Sequence, residues 1–161
     1  MILGMSVSTF TTVHIVLSLI GIVSGLIVLV GLLCRKRPGG CTMLFLATTV
    51  LTSATGFFFH SASFGPPHVI GVISLVVLAV AIFALYAGRL AGHWRWIYVV
   101  TAMVALYLNC FVGVVQAFQK LSFLNALAPT QSESPFLIAQ LAMLAIFVLL
   151  GIQAVKKYHP R

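Results

Sequence analysis

The run Thr11–Arg37, TTVHIVLSLIGIVSGLIVLVGLLCRKR, decides the fold of this chain. From Thr11 to Leu33 it holds no charged side chain, and Arg35, Lys36 and Arg37 close it. An α-helix needs about 20 apolar residues to cross roughly 30 Å of hydrocarbon, so this run is long enough to span a bilayer. A retained span is expected rather than a cleaved leader, because no Lys or Arg precedes it and a basic stop-transfer cluster follows. Four comparable stretches lie downstream: Met43–Phe59, Pro67–Gly88, Trp94–Phe118 and Pro135–Val155. Lipid offers the backbone no hydrogen-bond partner, so each should be helical. The expected fold is an all-α polytopic membrane bundle in a single domain, 1–161. Its five transmembrane helices fall at approximately 11–33, 43–59, 67–88, 94–118 and 135–155.

Composition leads to the same class. The chain is 61% hydrophobic and 6% charged, against about 25% charged residues in soluble domains. So few charges cannot cover a water-facing surface, and the partner of most side chains must be the lipid bilayer. A net charge of +8 would suit nucleic acid if the cations shared a patch. They are instead split into short clusters between apolar runs, so no nucleic-acid partner is expected. Cys34, Cys41 and Cys110 form no paired motif and describe no disulfide framework.

Those clusters also orient the chain. Basic residues favour the cytoplasmic side of membrane spans. Arg35, Lys36, Arg37, Arg89, Arg95, Lys156, Lys157 and Arg161 all fall on one side, whereas Lys120 alone falls on the other. The N-terminus is therefore expected outside and the C-terminus in the cytoplasm, with Trp94, Trp96 and Tyr98 as an aromatic anchor at the inner boundary.

At about 100° per residue, polar and small side chains resolve into stripes. Tyr98, Ala105, Asn109, Gly113, Gln116 and Lys120 share one face of the fourth stretch. His14, Ser18, Gly21 and Gly25 align on the first, Thr49, Ser53, Gly56 and His60 on the second, and Gln140, Gly151 and Ala154 on the fifth. Such residues gather where membrane helices meet. The interior is thus expected to consist of the first, second, fourth and fifth stretches, with the third facing lipid. Gly21, Gly25, Gly56 and Gly113 are the helix-packing candidates. The Gly21–Gly25 pair matches GxxxG and serves either internal packing or a homodimer seam. Asn109 and Gln116 are amides at depth, where an unpaired polar group is costly. They either bond across helices, to Thr49, Ser53 or Gln140, or wall a pocket for a small polar molecule, a quinone or a lipid headgroup. The candidate ligand-binding stripe is Asn109, Gln116, Tyr98, Thr49, Ser53 and Gln140. The connection Gln119–Ser134, carrying Leu121, Phe123, Leu124 and Leu127, is expected to form a short amphipathic helix in the interface.

Several chemistries are excluded. Glu133 is the single acidic residue, so paired-carboxylate catalysis within one chain is impossible. No helix interior carries a carboxylate, Lys or Arg, the groups on which coupled transporters rely. The sequence contains no HExxH, P-loop, GxSxG or CxxC, so a non-enzymatic protein is favoured. His14, His60 and His68, assisted by Glu133 or Met5, share one depth and are the candidate ligands for haem or a transition metal. The alternative is that they act as polar caps at the interface. Cys34, Cys41 and His93 form a looser set on the opposite side.

The segments LFLATTVLTSATGFFF (Leu44–Phe59), WRWIYVVTAMVALYLNCFVGVVQAFQK (Trp94–Lys120) and LAPTQSESPF (Leu127–Phe136) resemble small multi-pass bacterial inner-membrane proteins. The resemblance implies a bacterial inner membrane and carries no activity or site residue with it. The expectation is a membrane protein that binds a small ligand or lipid, or acts as a homo-oligomer or accessory subunit of a larger membrane complex. The alternatives are a haem- or metal-binding redox protein and a channel or uniporter for a neutral solute.

Overall fold

The computed structural model describes residues 1–59 and 63–159. Six helices follow in order: α1 Val7–Leu33, α2 Gly39–Gly56, α3 Pro66–Tyr86, α4 His93–Lys120, α5 Ser122–Leu127 and α6 Ser134–Lys157. An isolated bridge between Ile2 and Met5 is the only extended pairing among the described residues.

Local chemistry sets the ends. Helix α1 starts four residues before the expected Thr11 because Ser6 caps it, its Oγ accepting from the Thr9 N–H at 3.1 Å. It stops at Leu33 in a Schellman arrangement, Lys36 N–H to Gly31 O at 2.7 Å and Arg35 N–H to Leu32 O at 3.1 Å. Arg35 stands where glycine is usual, at φ 59°. Helix α2 lies four residues upstream of its expected start, since Gly39 and Gly40 form its first turn after Pro38 instead of a loop. Pro66 opens α3, where a missing N–H costs nothing. Glu133, rather than Ser134, is the N-cap residue of α6. The short helix expected after α4 is present as α5, with Leu121, Phe123 and Leu127 exposed around it.

Helices α1, α3, α4 and α6 are long and apolar enough to cross a membrane. Helix α2, the second of the five expected spans, is not among them. It has 18 residues and is diluted by threonines, Ser53 and glycines. Three of its hydroxyls are answered locally: Thr42, Thr48 and Thr55 donate to the carbonyls four residues earlier at 2.9, 2.6 and 2.7 Å.

The interior differs from the expected one. Helix α3, expected to face lipid, buries Ser74, Leu78, Ala81, Ala84 and Leu85. Helix α6, expected inside, buries only Gln140 and Ala154. Helix α3 has the small side chains that allow close approach to α4, whereas the bulky apolar residues of α6 lie outward. The bundle is closely packed at the end where α1 stops and α4 begins, around Leu32, Phe45, Leu78, Tyr98, Val99 and Leu106. At the other end it opens.

Candidate functional site

That opening is a cavity of about 670 Å³ between the first half of α1, the end of α2, the start of α3 and the last turns of α4. Its apolar wall includes Ile15, Leu19, Ile22, Ile70, Leu108 and Val112. Polar side chains from all four helices also line it: His14 and Ser18 of α1, Ser53 of α2, Ser74 of α3, and Asn109 and Gln116 of α4, with Lys120 on the last turn of α4. No acidic side chain lines it.

Asn109 forms the floor. Its Nδ2 donates to Thr49 Oγ1 across the α2–α4 contact at 3.3 Å, one of the partners expected from the sequence. Both sit against Gly21: a Cβ there would come within 3.0 Å of Asn109 Nδ2 and 3.2 Å of Thr49 Oγ1. A side chain at Gly21 would therefore press on both partners of this hydrogen bond. Higher up, Ser53 Oγ donates to Ser74 Oγ at 3.0 Å and ties α2 to α3. His14 Nδ1 meets Thr55 Oγ1 at 2.8 Å and ties α1 to α2. Thr52 also lines the cavity, is 8% exposed, and its Oγ1 has no hydrogen-bond partner among the described residues.

The fourth-helix stripe read from the sequence thus divides in two. Asn109, Gly113, Gln116 and Lys120 line the cavity, while Tyr98 and Ala105 are fully buried in the packed half. Gln116 is exposed at the mouth, its Nε2 donating to Gln119 Oε1 at 3.4 Å. Thr49 lies beneath the floor and outside the lining. Gln140 is remote from the cavity and donates through Nε2 to Phe111 O at 3.3 Å, holding α6 to α4. Of the packing glycines, Gly21 and Gly25 are buried at the junction of α1 with α2 and α4. Both pack within the chain, against Asn109, Thr49, Leu106 and Phe45. Gly56 and Gly113 instead border the cavity, with room for a Cβ at 3.8 Å from His14 Cε1 and 3.5 Å from Ile22 Cδ1. The contribution of α3 escaped the sequence reading, although His68, Gly71 and Ser74 at spacings of three are the stripe that would have shown it.

Among the described residues no three His, Cys, Asp or Glu side chains converge as a metal group. His14 and His68 both line the cavity, and His60 lies outside the described residues. His68 Nδ1 accepts from the Gly65 N–H at 3.3 Å. Glu133 is held within its own loop, Oε1 accepting from Thr130 Oγ1 at 2.8 Å and Oε2 from Ser132 N–H at 3.1 Å. These bonds, the Thr130 hydroxyl first, hold its carboxyl below the usual glutamate range. Cys34, Cys41 and His93 form no metal group either.

At the opposite end, Arg95 does more than mark topology. Its Nη1 donates to the carbonyls of Val155, at 2.9 Å, and Tyr158, capping the C-terminal end of α6. Burial pushes the Tyr158 hydroxyl above its ordinary pKa, against the opposing pull of Arg37 and Arg95. Compared with protein-family models, curated proteins and solved structures, the chain matches none.

Proposed function

We propose that this chain is a five-span integral membrane protein of a bacterial inner membrane that holds a single-chain amphiphile in the cavity among α1, α2, α3 and α4. The observation that carries this reading is a cavity of about 670 Å³ with a mainly apolar wall, a few polar side chains and no carboxylate in its lining. Ligand pockets run from roughly 300 to 1,000 Å³, with few polar groups placed to orient the occupant. A hydrocarbon chain suits the wall of Ile15, Leu19, Ile22, Leu108 and Val112, and a polar head suits the polar side chains.

The same arrangement supports counting α2 as a span. Eighteen residues at 1.5 Å each reach about 27 Å, near the hydrocarbon thickness, and the hydroxyls of Thr42, Thr48 and Thr55 are satisfied by its own backbone. Five spans put the two termini on opposite faces, and the basic clusters favour the C-terminal face as the cytoplasmic one. Impermeant labelling of tags at the two ends of the chain in sealed vesicles should therefore mark them from opposite faces; both on one face would rule out five spans.

Occlusion tests the cavity. The Cβ of Gly113→Phe fits beside Ile22, but the ring must enter the cavity. Binding of dodecanol to the purified protein, followed by titration calorimetry against empty micelles, should weaken at least about tenfold, a loss of about 1.4 kcal/mol. Gly113→Ala should bind as the parent does. Unchanged dodecanol binding in a folded Gly113→Phe protein would refute the proposal.

A further inference from the structure

Lys120 breaks the charge pattern of the chain. Among the described residues, Arg35, Lys36, Arg37, Arg89, Arg95, Lys156 and Lys157 lie at the packed end of the bundle, and Lys120 alone lies at the open end. That one cation lines the cavity. It stands on the last turn of α4, four residues after Gln116, so both side chains share one face at the mouth. Among the described residues no carboxylate neutralises it there. Glu133 is the single acidic residue of the sequence, and its oxygens accept from Thr130 and Ser132. A cation at the boundary of an apolar cavity, beside an amide and without a protein counter-ion, is suited to an anion brought by the occupant. A hydrogen bond between charged groups is about twice as strong as a neutral one.

Resting on the amphiphile-binding reading, we infer that the occupant is anionic, a carboxylate or phosphate monoester on a hydrocarbon chain. Its head lies against Lys120 and Gln116, and its tail runs down among Ile22, Leu108 and Val112. Lys120 also complements the negative end of the α4 dipole, but that role needs no cavity and predicts no ligand selectivity.

The test is calorimetric titration of the purified protein in nonionic micelles with laurate, dodecyl phosphate and dodecanol, beside acetate and inorganic phosphate. Laurate and dodecyl phosphate should bind about tenfold more tightly than dodecanol, as expected for one charge-assisted contact near the interface. Lys120→Gln should erase that difference, and an unchanged helical circular-dichroism spectrum and unfolding midpoint show that the variant is folded. Lys120→Arg should keep the difference. Laurate binding no better than dodecanol, or a preference that survives Lys120→Gln, overturns the inference and leaves the amphiphile reading standing. Acetate or phosphate binding as tightly as laurate overturns it in favour of a soluble-anion site. Failure of all three amphiphiles to bind removes the cavity reading and this inference together.

Discussion

Gly25→Val should lower the stability of the bundle by about 2–3 kcal/mol, at the upper end of what overpacking a close-packed interior costs. The reason lies in the approach of α1 to its neighbours. A Cβ on Gly25 would stand 2.5 Å from Leu106 Cδ1 on α4 and 2.9 Å from Phe45 Cδ2 on α2. Phe45 and Leu106 are each 1% exposed, so neither has free space to move into. The two methyls of valine compound the clash, and α1 can accept them only by moving away from both helices. Gly56→Ala is the matched control, because its Cβ would meet His14 Cε1 at 3.8 Å, an ordinary contact. It should lie within about 0.5 kcal/mol of the parent, as substitutions away from close contacts do. Unfolding in mixed micelles with increasing sodium dodecyl sulfate, followed by circular dichroism, gives both midpoints. Equal midpoints for the two variants would show that α1 does not approach α2 and α4 as closely as described.

Arg95→Gln should cost about 1–2 kcal/mol and should act on α6 in particular. Helix α6 buries only Gln140 and Ala154, so apolar contact fixes it weakly. Its attachments to α4 include the Gln140 bond to Phe111 O and the Arg95 bonds to the carbonyls of Val155 and Tyr158. Interhelical hydrogen bonds in membranes average about 0.6 kcal/mol. Charge assistance raises the Arg95 pair above that value, and its half-buried position near the boundary restrains the gain. Glutamine is too short to reach both carbonyls. Disulfide trapping between cysteines placed on α4 and α6 near Tyr98 and Ala154 should slow in the variant, and trapping between α1 and α2 should not change. Equal loss at both interfaces would mean that Arg95 supports the whole bundle and not α6.

The polar lining was partly legible. Asn109, Gly113, Gln116 and Lys120 could be placed on one face because α4 alternates polar and apolar sides at helical spacing. The partner of Asn109 was within reach of the sequence, since Thr49 was a candidate for it. The fate of Tyr98 was not. It shares the stripe, but the bundle is closed at its depth and open at that of Gln116. Small residues were ambiguous for the same reason. Gly25 and Gly113 look alike in sequence, yet one is pressed against Leu106 and Phe45 while the other borders the cavity.

By itself the sequence determined that the chain is helical and apolar, roughly where its helices lie, and that carboxylate chemistry is absent from its interior. Those properties follow from composition and from the need of a backbone in lipid to satisfy its own hydrogen bonds. Only the tertiary structure decided that α3 lines the cavity while α6 stays outside, and that the bundle opens at one end. In water, burial separates apolar from polar faces and writes the inner face into the sequence. In lipid both faces of a helix are apolar, so the choice of neighbours falls to the fit of small side chains and to single bonds such as Ser53 to Ser74 and Arg95 to Val155.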